Sequence, residues 1–171
     1  MEIILIRHGK SIGNALRGDE AVFTGRWDCD LTPVGFQQAE ALRNYAMLDG
    51  VDIYYCSPLK RAVQTAKAFL DTELIIDVKS DPQYAKYFSD PFYMRFRKDF
   101  EAKAPNGESY GDVCHRVRPF LKELLEDNAD KVGIISHFVV IKCIMKELLD
   151  LSEEETLALM VRNCEPIQIS I

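Results

Sequence analysis

Apolar and polar positions along the chain follow two periods that take turns. Ile3-Ile4-Leu5-Ile6 is an unbroken apolar run that ends in Arg7-His8-Gly9-Lys10. A run this short, closed by charge and glycine, predicts a strand buried on both faces of a parallel sheet. Val51–Cys56, Leu74–Val78 and Lys131–His137 repeat that grammar, and the alternating Ile167–Ile171 reads as a half-exposed edge strand. Helical signals lie between them. Ser11–Arg17 forms a short helical stretch, and residues 18–30 show no clean period and read as a loop. Thr32 as N-cap with Pro33 at the first helical position opens a helix to about Leu48. Ser57 is placed to cap a helix through about Leu70. A turn at Asn106-Gly107-Glu108-Ser109 precedes a helix to about Asp127 with a stripe through Val113, Val117, Phe120, Leu121 and Leu124. A further helix covers Phe138 to about Leu149, and Ser152 with Glu155 makes the capping box of the next. From Ser80 to Asn106 the pattern dissolves into proline, charge and aromatics, with a helix expected near 91–103. Strands separated by helices predict a three-layer α/β/α sandwich around a mostly parallel central sheet, folded as one domain over residues 1–171.

Composition narrows the partners. Twenty-one Lys and Arg against 27 Asp and Glu leave a net charge of −6, which disfavours broad electrostatic binding to nucleic acid or to anionic membrane. Any bound anion must be held by a local cluster. Five scattered cysteines, with no C-x-x-C pair and no ligand-like spacing to histidine, read as free thiols of a reducing compartment rather than disulfides or metal ligands. The N-terminus carries no signal-peptide core, and no run reaches the ~18 apolar residues of a membrane span. A cytoplasmic protein is expected.

Three strand ends carry the unusual side chains. Arg7-His8 follows the first strand, Arg61 lies one turn into the helix after the second, and His137 follows the Lys131 strand. In a parallel sheet all three meet at the carboxyl edge, where ligand crevices form, and Gly9 permits a sharp turn or a close backbone approach there. Two guanidinium groups, two imidazoles and helix-start N–H groups suit a compact, multiply charged anion, phosphate above all. A neutral imidazole in such a cluster is nucleophilic near neutral pH and can accept a phosphoryl group, with the cations stabilising the charge on the transferring group.

Five blocks at these positions carry a resemblance. Arg7-His8-Gly9-x-Ser11-x-x-Asn14, Leu31-Thr32-x-x-Gly35-x-x-Gln38-Ala39, Ser57-Pro58-Leu59-x-Arg61-Ala62-x-Gln64-Thr65-Ala66, Gly107-Glu108-Ser109 and Ser136-His137 resemble, in order and over nearly the whole chain, the signatures of the histidine phosphatase superfamily, also called phosphoglycerate mutase-like. The resemblance implies that fold, His8 as the phosphorylated nucleophile, a phosphate pocket of Arg7, Arg61 and His137, a rim contribution from Asn14 with Ser11 beside it, and no requirement for a metal or other cofactor. Two positions depart from the family pattern. Lys86 stands where the family usually has the Glu that protonates the leaving group, which makes Glu108 the candidate acid, with Asp81 and Asp90 behind it. Phe138 stands where the family usually has Gly after its second histidine, so its ring crowds or reshapes the substrate pocket.

Each assignment has a plainer competitor. His8 and His137 could be hydrogen-bonded histidines at strand ends, Arg61 a surface arginine, and Asn14 a local cap. Glu108 could serve the helix dipole, Lys86 is by default a solvated lysine that would otherwise touch substrate, and His115 sits in an amphipathic helix without a role. The aromatics from Tyr84 to Phe100 are either packing or a cleft wall. The reading is a metal-independent phosphatase of small phosphomonoesters. Its alternatives are a phosphoglycerate mutase-type phosphoryl transfer and a catalytically weak phospholigand-binding or regulatory domain. The sequence specifies neither the substrate nor the oligomeric state.

Overall fold

The structure, a computed structural model, describes residues 1–16, 24, 27–70, 75–76, 98–103 and 107–171. Five strands, β1 (Glu2–Arg7), β2 (Ile53–Cys56), β3 (Ile75–Ile76), β4 (Lys131–Ser136) and β5 (Ile167–Ser170), form one sheet in the order β3-β2-β4-β1-β5. β1 to β4 are parallel, and β5 pairs antiparallel with β1 at the edge. The described helices are α1 (Ile12–Ala15), α2 (Pro33–Glu40), α3 (Lys60–Phe69), α4 (Tyr110–Glu126), α5 (Phe138–Leu149) and α6 (Glu153–Ala158). This is the mostly parallel α/β/α sandwich that the alternation of patterns predicts.

The apolar run of β1 is explained by cover on both sides. Ile3 and Leu5 pack with Val113, Val117 and Leu121 of α4 and with Ile141 and Ile144 of α5. Ile4 and Ile6, pointing the other way, pack with Ala39, Leu42, Ala62 and Ala66. Each of the four is fully buried, worth up to about 1.5–3 kcal/mol apiece. Gly133 in β4 lies where a Cβ would come within 2.3 Å of the Tyr54 ring on the neighbouring strand. β5 shows the expected half-exposure, with Ile169 buried and Gln168 and Ser170 facing water. Among the described residues, no helix is long and apolar enough to cross a membrane. The five cysteines are buried free thiols.

Caps follow the sequence at Thr32 and Ser152, and Ser109 adds a third. Thr32 Oγ1 accepts from Gly35 N at 3.1 Å, Ser109 and Asp112 form a capping box, and so do Ser152 and Glu155. Other expectations need correction. The helix from Thr32 does not reach Leu48. It ends at Glu40, and two 3₁₀ turns, Ala41–Asn44 and Ala46–Leu48, replace its last part. Tyr45, extended between the two turns, breaks the helix, and Leu42, Tyr45 and Leu48 all pack in or against the cluster around Ile4 and Ile6. Burial therefore outweighs continuation of the α-helix. The first short helix stops at Ala15. Residues 98–103, the described part of the helix expected near 91–103, form turns. Ser57 does not cap α3, whose N-cap is Leu59 with no side-chain bond. Pro58 disfavours helical geometry at the residue before it and shifts the start onward.

Candidate active site

Register places the site. Arg7, the last residue of β1, pairs with Ser136, the last residue of β4, so the next residues, His8 and His137, leave the sheet side by side with ring centroids 5.2 Å apart. On the other side of β4, Cys56 pairs with Ile135, and Ser57 N continues the ladder to Ile135 O at 2.9 Å. Ser57 Oγ consequently lies 2.6 Å from His137 Nε2. Arg61, on the first turn of α3, is 2 % exposed and donates from Nη1 to Trp27 O at 2.7 Å. One turn on, Thr65 Oγ1 donates to Arg61 O at 2.7 Å and accepts from Gly9 N at 2.9 Å, tying α3 to the end of β1. Gly9 itself is required by packing rather than by a ligand. A Cβ there would sit 2.4 Å from Gly35 O, so the strand end and the start of α2 touch backbone to backbone.

Burial and charge set the protonation of the two imidazoles. His8 is 3 % exposed and its Nδ1 lies 2.7 Å from Gly9 O. A carbonyl can only accept, so Nδ1 carries the proton and Nε2 keeps its lone pair. Burial foremost, then the Arg61 charge and more weakly that of Arg7, lowers His8 to about 3 against the opposing Gly9 bond. His137 is held well below its ordinary value, first by burial, then by Arg61, His8 and Arg7, with Arg116 adding last. Both rings are neutral at physiological pH, kept so by burial and by guanidinium charge, from Arg61 and Arg7 at His8 and from Arg61, Arg7 and Arg116 at His137.

Such rings link stability to acid. An imidazole lowered in the folded chain takes up its proton in the unfolded chain first. Stability is therefore undiminished above about pH 6.5, and as the pH falls below that it declines at up to about 1.4 kcal/mol per pH unit for each such histidine. For His8 the decline runs on toward its folded value of about 3. Thermal unfolding followed from pH 7 to pH 4 should show a midpoint that falls more steeply in the parent than in His8→Gln. Equal slopes would mean that His8 contributes no such linkage.

Arg7 and the backbone of His8 are held by residues that the sequence reading missed. Arg7 Nη1 donates to Val161 O at 2.8 Å, Cys164 N donates to Arg7 O at 2.9 Å, and Asn163 Nδ2 donates to His8 O at 2.6 Å. Cys164 takes a left-handed φ of 52°, which turns the chain from this clamp into β5. Nothing in the stretch Val161–Cys164 announces contact with residues over 150 positions away. The Arg7 guanidinium also lies over the Phe138 ring, 5.1 Å from its centroid, and the buried Lys142 Nζ lies 4.6 Å from the same ring. Phe138 thus contacts two cations. Gln38 and Gln64, part of the sequence blocks, staple backbone by accepting from Lys10 N and Leu31 N.

The remaining candidates are placed as follows. Ser11 and Asn14 form the capping box of α1, each accepting from the other's backbone N–H at 3.3 Å. Glu108 accepts from Arg116 Nε at 2.8 Å with one oxygen and from Nη2 at 3.1 Å with the other. Lys86, Asp81 and Asp90 lie outside the described residues. Arg7, His8, Arg61 and His137 are brought together at the carboxyl edge, next to the N-terminus of α5, whose N-cap His137 makes no side-chain cap. A free helix start beside two arginines suits an anion. Among the described residues, no group of three His, Cys, Asp or Glu is arranged to hold a metal ion.

Comparison with known proteins gives the family and the fold. The model of the histidine phosphatase superfamily, branch 1, matches residues 3–171. A protein of Hydrogenobacter thermophilus, provisionally named phosphoserine phosphatase 2, is 31 % identical over 150 residues, covering 79 % of this chain and 72 % of its own. Among solved structures, a mutant phosphoserine phosphatase from Entamoeba histolytica in complex with phosphoserine superposes with a TM-score of 0.79 at 25 % identity, over 98 % of this chain and 89 % of that one. The alpha-ribazole phosphatase of Shigella flexneri gives 0.81 at 25 % identity, over 100 % and 91 %.

Proposed function

The chain belongs to the histidine phosphatase superfamily, branch 1, and as such is a phosphomonoester hydrolase; from that premise we propose that it acts on small phosphomonoesters through a phosphohistidine on His8. The observation that carries the reading is a neutral His8 whose Nδ1 proton is committed to Gly9 O, leaving Nε2 as the nucleophile beside Arg7, Arg61 and His137. Nε2 attacks phosphorus, the P–O ester bond breaks, and the leaving oxygen takes a proton. Water, giving up a proton to the carboxylate that served as donor, then attacks the phosphorus of phospho-His8, the P–N bond breaks, inorganic phosphate departs and the imidazole is restored. The guanidinium groups hold the equatorial oxygens throughout, so charge is stabilised where it develops. The phosphorylated small molecules named for the relatives support this substrate class.

Glu108 is the proposed donor of the leaving-group proton. In the free protein both of its oxygens are engaged by Arg116. An incoming phosphate dianion competes for Arg116 and frees the carboxyl to carry a proton to the leaving oxygen. The test is a panel of aryl and alkyl phosphates, scored by release of inorganic phosphate, with the parent and Glu108→Gln. Parent turnover on both classes is expected. The variant should lose about 10²-fold or more on phosphoserine and much less on 4-nitrophenyl phosphate, whose leaving group needs little protonation. Equal losses would remove Glu108 from that role. Tight phosphate binding with no hydrolysis of any member would replace the enzyme by a binding module.

A further inference from the structure

Ser57, read from sequence as a helix cap, stands instead at the end of β2 against His137. Its oxygen has two recorded partners among the described residues, Leu59 N at 3.4 Å and His137 Nε2 at 2.6 Å. The first is a donor, so the oxygen accepts there, and among the described residues the acceptor placed for the hydroxyl proton is His137 Nε2. His137 Nδ1 is buried and meets no hydrogen-bond partner among the described residues.

We propose that Ser57 is a positioning residue for His137: its hydroxyl donates to Nε2 and fixes the ring as the Nδ1–H form, so that Nδ1–H is a donor held for a phosphoryl oxygen. The opposite arrangement leaves two groups stranded. With the proton on Nε2, the Ser57 hydroxyl would have no acceptor among the described residues, and Nδ1 would place an unmatched lone pair in the wall of an anion pocket. A doubly protonated ring is opposed by burial and by Arg61 and Arg7. The two histidines therefore carry their proton on the same nitrogen and turn opposite ends to the substrate. Gly9 O takes the Nδ1 proton of His8, so that ring offers a lone pair. Ser57 caps the lone pair of His137, so that ring offers a donor. Pro58 is what permits this. It moves the helix start past Ser57 to Lys60 and leaves the hydroxyl level with the end of β4.

The functional half of this inference rests on the phosphatase reading; the tautomer half does not, and the experiment separates them. The full chain, labelled with ¹⁵N-histidine and free of substrate, is examined by two-bond ¹H–¹⁵N correlation at neutral pH. His137 is expected as the Nδ1–H form in the parent and in Ser57→Thr, and shifted toward Nε2–H or a mixture in Ser57→Ala, with the His8 pattern unmoved. On 4-nitrophenyl phosphate, Ser57→Ala should lose about 10- to 100-fold in kcat, and Ser57→Thr, which keeps the hydroxyl, should recover most of it. An Nε2–H form in the parent overturns the proposal, as does an unchanged tautomer or an unchanged rate in Ser57→Ala. Should Ser57→Ala fail to fold, the parent spectrum and Ser57→Thr still decide it. Failure of the phosphatase reading shows separately, as no release of inorganic phosphate by the parent, and failure of the His8 assignment as persistent turnover in His8→Ala.

Discussion

His8→Ala is expected to lower turnover of every phosphomonoester by at least about 10⁴-fold, because it removes the atom on which the reaction is divided into two displacements. Binding should survive. Arg7, Arg61 and His137 remain, and removal of one partly hydrophobic ring from a site with a buried Arg61 and a half-buried Arg7 leaves the anion's attraction in place. Inhibition by inorganic phosphate should therefore stay within roughly tenfold of the parent while kcat collapses. The same variant fixes the intermediate. Rapid quenching of the parent with ³²P-labelled substrate should trap a base-stable, acid-labile label, and the position predicted by the Gly9 bond is Nε2. His8→Ala should carry no label. Retention of turnover in the variant, or a label on His137, would move the nucleophile elsewhere.

What could be read from residues alone follows from which contacts are local. The apolar run of β1 and its repeat in β4 are visible as composition, and their shared register carries His8 to His137 without further information. Caps at Thr32, Ser109 and Ser152 are equally legible, because each partner lies three residues away. The features that escaped depend on distant pairing. Asn163 and Val161 act on Arg7 and His8 across most of the chain, and no local pattern encodes that meeting. Ser57 was misread because a serine at a strand end followed by proline satisfies the grammar of a cap, whereas the neighbouring strand offers it a stronger partner in His137. The helix after Thr32 broke early for a related reason. Its periodicity remains plausible to Leu48, but the chain breaks at an extended Tyr45 between two 3₁₀ turns, and Leu42, Tyr45 and Leu48 all reach one cluster. Glu108 is legible as an acid at a turn, whereas its engagement by Arg116 depends on a residue two helical turns along α4.

Arg61→Lys is expected to reduce kcat/KM by about 10²- to 10³-fold, the cost of removing one well-placed donor from an oxyanion site. The charge is preserved, so the loss measures shape. In the parent, Nη1 is spent on Trp27 O, and a planar guanidinium fork matches phosphoryl oxygens in a geometry that a single ammonium does not. A lysine offers one point of charge and must choose between anchor and substrate. Arg61→Met separates the electrostatic share. Arg61 is the largest charge effect on His8, second only to burial, so its loss lets His8 rise from its lowered value while burial still holds it under the ordinary range. The acid limb of kcat/KM for 4-nitrophenyl phosphate should accordingly move to higher pH in Arg61→Met and stay with the parent in Arg61→Lys. Ionisation of the substrate phosphate, near pH 6, is common to all three proteins and cancels in the comparison. Activity of Arg61→Lys within about tenfold of the parent would show that a general positive field suffices. The paired displacement of rate in one variant and of pH profile in the other is the signature of a guanidinium that both grips the anion and keeps the nucleophile neutral.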